Sequence, residues 1–261
     1  MKPLIAVAAA LAACTLSLPV AAVGNIADIV VYDRAQDRTL PVHVHERRHY
    51  VVGRPGNEYE IHLRNRQRGD ILAVVAVDGV DVITGDTADW RHSGYVLGPR
   101  QGFGVKGWRK SLDRVAAFYF TALPDSYAAR TGRPDHVGVI GVALFRKKPE
   151  PVAQYSPPPA PAAAEHSAGT ARDDVAGAGT GSRAEAPATT AQKSARLGTG
   201  HGRSEASQVT YTEFERATAA PAEVITIYYD SYRNLVEQGV IRAPQLARPD
   251  PFPGRFAPDP L

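Results

Sequence analysis

The densest apolar run of the chain is residues 71–77 (ILAVVAV), followed by Asp78-Gly79 and a second, largely apolar run at 80–84. Val, Ile and Leu pack well on a pleated surface, and a D-G dipeptide supplies the positive φ angles of a two-residue hairpin turn. A run that is apolar on both faces predicts a central strand buried from both sides. Around it the period is two. In 40–45, Leu40, Val42 and Val44 alternate with Pro41, His43 and His45; in 59–64, Tyr59, Ile61 and Leu63 alternate with Glu60, His62 and Arg64. Further strands are predicted over 26–32, 49–52, 94–97, 103–108, 115–121 and 137–145. A short helix capped by Asp125 or Ser126 is predicted to run through Arg130 and stop at Gly132. About nine short strands, turn signals every 8–12 residues and almost no helix predict an all-β fold, an antiparallel β-sandwich of the jelly-roll kind, over 24–147.

The pattern then lapses. Over 148–205 Pro, Ala, Gly, Ser and Thr replace the large apolar residues, and such a segment buries too little surface to offset the entropy of ordering it. It reads as a long disordered linker, semi-extended at Pro157-Pro158-Pro159. Order is expected again over 206–242 as a small ββα segment: strands at 209–214 and 224–229, and a helix over 232–238 capped by Asp230 or Ser231 and ended by Gly239. A unit of that size lacks a core of its own and is expected to dock on the sandwich. The tail 243–261 is proline-rich.

The first 23 residues stand apart. Lys2 precedes an uncharged stretch, 4–23, that closes on Val20-Ala21-Ala22, the layout of a secretory signal cleaved after Ala22. The expected address is therefore periplasmic or secreted. The alternatives are a lipoprotein, since Leu11-Ala12-Ala13-Cys14 matches a bacterial lipobox with Cys14 as the lipidated residue, and an uncleaved anchor. Membrane contact is expected only in those two cases. Cys14 is the only cysteine, so cleavage after Ala22 leaves a protein stabilised by packing alone, without a disulfide.

The formal net charge of +3, carried by scattered arginines, excludes a nucleic-acid-binding stripe and permits soft contact with anionic envelope polymers. His43-Val44-His45 is the sharpest chemical feature. On a strand the two imidazoles share a face and can reach one divalent transition metal, with His49 and His62 as further ligands. H-x-H on a jelly-roll is the cupin arrangement, but the glutamate expected shortly after the second histidine is replaced by His49 and Tyr50. The competing reading is that these histidines are the solvated faces of alternating strands. Lys106, Arg109 and Lys110 beside Trp108 form a candidate basic patch with an aromatic platform for a polyanion or glycan. The glycine-rich strings 98–104 and 198–202 do not link a strand to a helix as phosphate loops do, and read as a turn and as linker. His92-Ser93 and Asp125-Ser126 lack any spacing that identifies a nucleophile.

Residues 40–66 (LPVHVHERRHYVVGRPGNEYEIHLRNR), 75–88 (VAVDGVDVITGDTA), 93–99 (SGYVLGP), 120–145 (FTALPDSYAARTGRPDHVGVIGVALF), 198–203 (GTGHGR), 211–217 (YTEFERA) and 223–241 (EVITIYYDSYRNLVEQGVI) resemble a family of secreted proteobacterial proteins of unknown function. The resemblance implies an extracytoplasmic location and a shared fold, and assigns no activity or site residue. The expectation is a non-catalytic binding or structural module of the bacterial envelope with a protein or glycan partner. A metal-binding protein or metalloenzyme built on His43 and His45, and a basic module for anionic polymers, are the alternatives.

Overall fold

The computed structural model of the chain describes residues 22–149 and 196–243. Residues 1–21 of the expected signal 1–23, with the lipobox candidate Cys14, the stretch 150–195 of the expected linker, and the tail from 244 lie outside the described residues. In chain order the first strands are β1 (Ala27–Asp33), β2 (Arg38–Thr39), β3 (His43–His45), β4 (Arg48–Val52), β5 (Glu58–Asn65), β6 (Ile71–Val77) and β7 (Val80–Asp81). Then follow β8 (Tyr95–Leu97), β9 (Gly102–Val105), β10 (Gly107–Arg109), β11 (Arg114–Ala122), β12 (Val139–Arg146), β13 (Leu197–Ala206) and β14 (Glu223–Asp230). Two short helices, α1 (Tyr127–Arg130) and α2 (Tyr232–Glu237), complete the set. The Ser126 hydroxyl accepts the Ala129 N–H and the Ser231 hydroxyl that of Asn234, the expected caps.

The strands form two sheets packed as a sandwich. In the first, β13 runs along one edge of β11, whose other edge is shared by β10 and β5. β5 in turn carries β9 on the β11 side and β1 on the other, and β2 closes the row. The second sheet has the order β3-β4-β14-β12-β6-β7, with β8 also paired to β6. Alternation along the strands feeds the space between the sheets. Ile29, Val31, Ile61, Leu63, Phe118 and Phe120 enter from the first sheet, and Val75, Val77, Ile140, Val142, Ile225 and Ile227 from the second. Each such side chain contributes about 1.5–3 kcal/mol on burial.

β6 is the expected doubly buried central strand. Asp78 (φ 54°) and Gly79 (φ 73°) make its hairpin turn with both residues in the left-handed region, as a two-residue turn of this hand requires. The side of β6 facing away from the first sheet is covered too. Leu72 and Val74 cluster with Ala143 and Phe145, and Phe214 packs on them. Phe214 belongs to the segment 207–222, which straps this face. Lys148 N–H donates to the Glu215 carbonyl (2.8 Å) and Ala217 N–H to that of Arg146 (2.9 Å), while the Arg216 guanidinium lies over the Phe145 ring at 4.1 Å.

The C-terminal part differs from expectation. The glycine-rich 198–202 is strand, not linker, and the predicted strand at 209–214 is instead part of the strap. β13 carries glycine where another backbone or ring comes close. A Cβ on Gly200 would stand 2.2 Å from the Tyr119 ring, and one on Gly202 would stand 2.7 Å from the Ala117 carbonyl oxygen. Glycine weakens a strand's local signal, so the run looks unstructured until β11 is beside it. Nor is the second C-terminal strand a separate unit resting on a finished sandwich. β14 lies between β12, antiparallel, and β4, parallel, inside the second sheet. A sandwich of 24–147 alone would lack an interior strand.

This arrangement predicts that the fragment 22–149 does not fold alone. Circular dichroism in urea should show no cooperative transition for it, and a peptide of 196–243 added in trans should restore one. A sharp transition for the fragment by itself would contradict the topology.

Candidate functional site

The topology keeps the two H-x-H histidines together and separates His49 and His62 from them. Register partners in adjacent strands share a face, so His43, opposite Tyr50, and His45, opposite Arg48, lie on one face of the β3–β4 hairpin, while His49, opposite Val44, lies on the other. His62 is in the other sheet, stacked on Tyr32 at 5.0 Å and 3.0 Å from Glu60 Oε2. His49 and His62 therefore do not join His43 and His45 as ligands. Among the described residues no group of three or more His, Cys, Asp or Glu side chains is placed to hold a metal ion.

The basic patch is also rearranged. Trp108 is a core residue, 3 % exposed, meeting Phe118 edge to face at 4.8 Å and Tyr127 at 4.7 Å, so it offers no surface platform. Its position follows from pairing with Ala116 on the inward face of β11. Arg109 is a clamp: its Nη1 donates to the carbonyls of Ser207 (2.8 Å) and Ser111 (3.0 Å), and its Nε to Tyr95 Oη (3.3 Å). Lys106 is half-buried between β9 and β10, and Lys110 is exposed.

Lys110 instead meets residues that sequence reasoning did not select. The register of β11 and β13 slips between Ala116 and Phe118, and irregularities of this kind re-aim side chains. Beside it, His201 lies 5.4 Å from the Tyr127 ring and 6.2 Å from the Trp108 ring, parallel to the latter within 10°. Burial, then the Lys110 ammonium, and more weakly the Arg130 guanidinium hold the His201 imidazole below the ordinary histidine range. No carboxylate contributes to that shift. Among the described residues neither Lys110 nor Arg130 has an ion pair or side-chain hydrogen bond. The Trp108 indole N–H is buried and likewise without a partner. The result is a rim of two cations and a histidine around a short aromatic stack. Lys110 and Trp108 were legible in the sequence, whereas Tyr127, Arg130 and His201 come from two distant segments.

A second polar cluster is fully enclosed. Asp78 accepts the Gly138 N–H (2.9 Å) and the Tyr229 hydroxyl (2.5 Å) at Oδ1, and the Thr199 N–H (2.8 Å) at Oδ2. Since Tyr229 donates to Asp78, the Thr199 hydroxyl donates to Tyr229 (2.6 Å) and the Tyr59 hydroxyl to Thr199 (2.7 Å). Burial outweighs these bonds and raises the Asp78 carboxyl from 3.8 to about 6. Burial also keeps both tyrosines protonated, well above the ordinary tyrosine range. No cavity opens onto the cluster among the grooves found, so its role is to join strands. Asp81 Oδ2 and His92 Nδ1, 3.5 Å apart and both buried, have no other polar partner. The Ser126 hydroxyl donates to the Leu123 carbonyl (2.7 Å) and caps α1, which removes Asp125-Ser126 as a nucleophile.

No family model, no curated protein and no solved structure matches the chain. The functional reading therefore rests on these sites.

The Asp78 shift has a defined sign. The folded state binds the proton more tightly than the unfolded chain, so this carboxyl adds stability below about pH 4 that is lost as pH rises through about 6, about 3 kcal/mol in all. Urea unfolding of wild type and Asp78→Asn at pH 4 and pH 7 measures it. The stability difference, wild type minus variant, should fall by that amount between the two pH values, and a constant difference would remove the burial effect.

Proposed function

We propose that the protein is a non-catalytic extracytoplasmic binding module that holds an anionic polymer or glycan of the cell envelope at the rim formed by Lys110, Arg130 and His201. The observation that carries this reading is a pair of cations that make no ion pair among the described residues, set beside the Tyr127 and His201 rings. An acidic group bound there pairs with those cations, and the exposed His201 ring with half-buried Tyr127 beside it offers the aromatic contact for a sugar. The apolar leader at 4–23 and the resemblance to secreted proteins support the extracytoplasmic address.

Retention on a heparin column at low salt and pH 7 tests the reading. Each cation near an anionic surface is worth about 1 kcal/mol, so Lys110→Ala with Arg130→Ala should weaken binding about 30-fold. Arg38→Ala with Arg54→Ala removes the same net charge from exposed sites elsewhere and should leave retention nearly unchanged. Equal losses in the two double variants, or retention insensitive to salt, would refute the rim as the binding site.

A further inference from the structure

β14 is an interior strand only along part of its length. On one side β12 accompanies it from Glu223 to Tyr228. On the other, β4 starts at Arg48, which the register pair Ile227–His49 puts opposite Thr226. Among the described residues no strand lies beside Glu223–Ile225 on the β4 side. What lies there is a groove of about 480 Å³. One wall is the first stretch of the folded body at Gly24 and Asn25, and the other is the β3–β4 turn with Arg47 and Arg48. Val224 stands 56 % exposed on the floor, and Tyr228 closes the far end under Arg48, whose guanidinium is 5.8 Å from the ring centre.

Two further features mark this groove. The turn above it, Glu46-Arg47, is a two-residue hairpin with both residues left-handed, at φ 48° and 63°. Asn-Gly is the favoured pair for that turn, and each non-glycine residue held in the left-handed region costs about 1–2 kcal/mol. The hairpin thus keeps a cation at a position where a smaller residue would be more stable, the kind of strain that accumulates at binding sites. The turn carries two cations, Arg47 and Arg48, against one exposed carboxylate, Glu46, which acts on the Arg48 guanidinium. Glu223 is the only carboxylate lining the groove, and its two oxygens already accept the Asn25 N–H (2.8 Å), the Asn25 side-chain amide (3.0 Å) and the Ile26 N–H (2.7 Å).

We propose that this groove receives an extended acidic peptide from a protein partner. The peptide adds as a strand to the free edge of β14 at Glu223–Ile225, continuing the line of β4, with its carboxylates against Arg47 and Arg48. Main-chain hydrogen bonds supply affinity in such strand addition, and side chains supply selectivity. This contact is separate from the rim at Lys110 and stands or falls independently of it.

The test uses the ¹⁵N-labelled protein and an acetylated, amidated pentapeptide alternating glutamate and valine. Saturable shifts and slowed hydrogen exchange are expected at the amides of Val224 and Thr226. The lysine–valine counterpart should bind at least about tenfold more weakly, and the same glutamate peptide N-methylated on alternate residues should lose binding, because it cannot pair with the strand edge. R47G puts glycine at a left-handed position and removes that cation alone, so it should keep or raise the melting temperature while weakening the glutamate peptide about fivefold. Shifts centred elsewhere, equal binding of the two peptides, or full binding by the N-methylated peptide would each overturn the proposal.

Discussion

The Asp78 carboxylate is the point on which the sandwich turns. It sits at the tip of the central hairpin, 0 % exposed, and takes hydrogen bonds from three other parts of the chain: the entry to β12 at Gly138, the β13 backbone at Thr199 and the β14 side chain of Tyr229. Through Thr199 the chain of hydroxyls reaches Tyr59 on β5, so both sheets are joined by polar contacts inside an apolar core. A buried carboxylate is tolerable only when its lone pairs are filled. The same bonds dictate that β13 and β14 sit where they do, since without them the carboxylate would be stranded. Asp230, the residue after Tyr229 on β14, repeats the device by accepting the Leu197 N–H (3.2 Å) and the Asn234 side-chain amide (2.7 Å), and so ties the start of β13 to α2.

That dependence explains the order of assembly in space. The residues that complete each sheet come last in sequence, β13 on β11 and β14 between β4 and β12. The strap 207–222 connects them over the outer face of β6, which is why Leu72 and Val74 are as apolar as the inward residues. Its Arg216 also holds the loop 90–92 by donating to the carbonyls of Trp90 (2.9 Å) and His92 (2.6 Å). The long-range closure is therefore part of the core and not an appendage.

The two surfaces with open chemistry are by-products of that closure. The His201 rim exists because β13 brings a histidine to a cation-bearing end of β10 and α1. The groove at Glu223–Ile225 exists because β4 is shorter than β14 on the side they share.

Read alone, the chain determined the all-β class, the doubly apolar central strand, the Asp78-Gly79 turn, helix caps at Asp125 or Ser126 and at Asp230 or Ser231, and the period-two faces of β5. All of these depend on local chemistry: side-chain alternation, left-handed turn residues and hydroxyl caps act within a few residues of themselves. The tertiary structure decided what local chemistry cannot. The GTGHG run became a strand because Tyr119 and Ala117 leave room only for glycine. Trp108 went inward because of its register with Ala116, and His49 and His62 were parted from His43 and His45 because pairing sets faces. Asp78, which its turn alone seemed to explain, became the central acceptor because Gly138, Thr199 and Tyr229 converge on it from 60 to 151 residues away. Which strand lies beside which is a property of the whole chain's packing, and burial, charge exposure and hence the candidate sites follow from it.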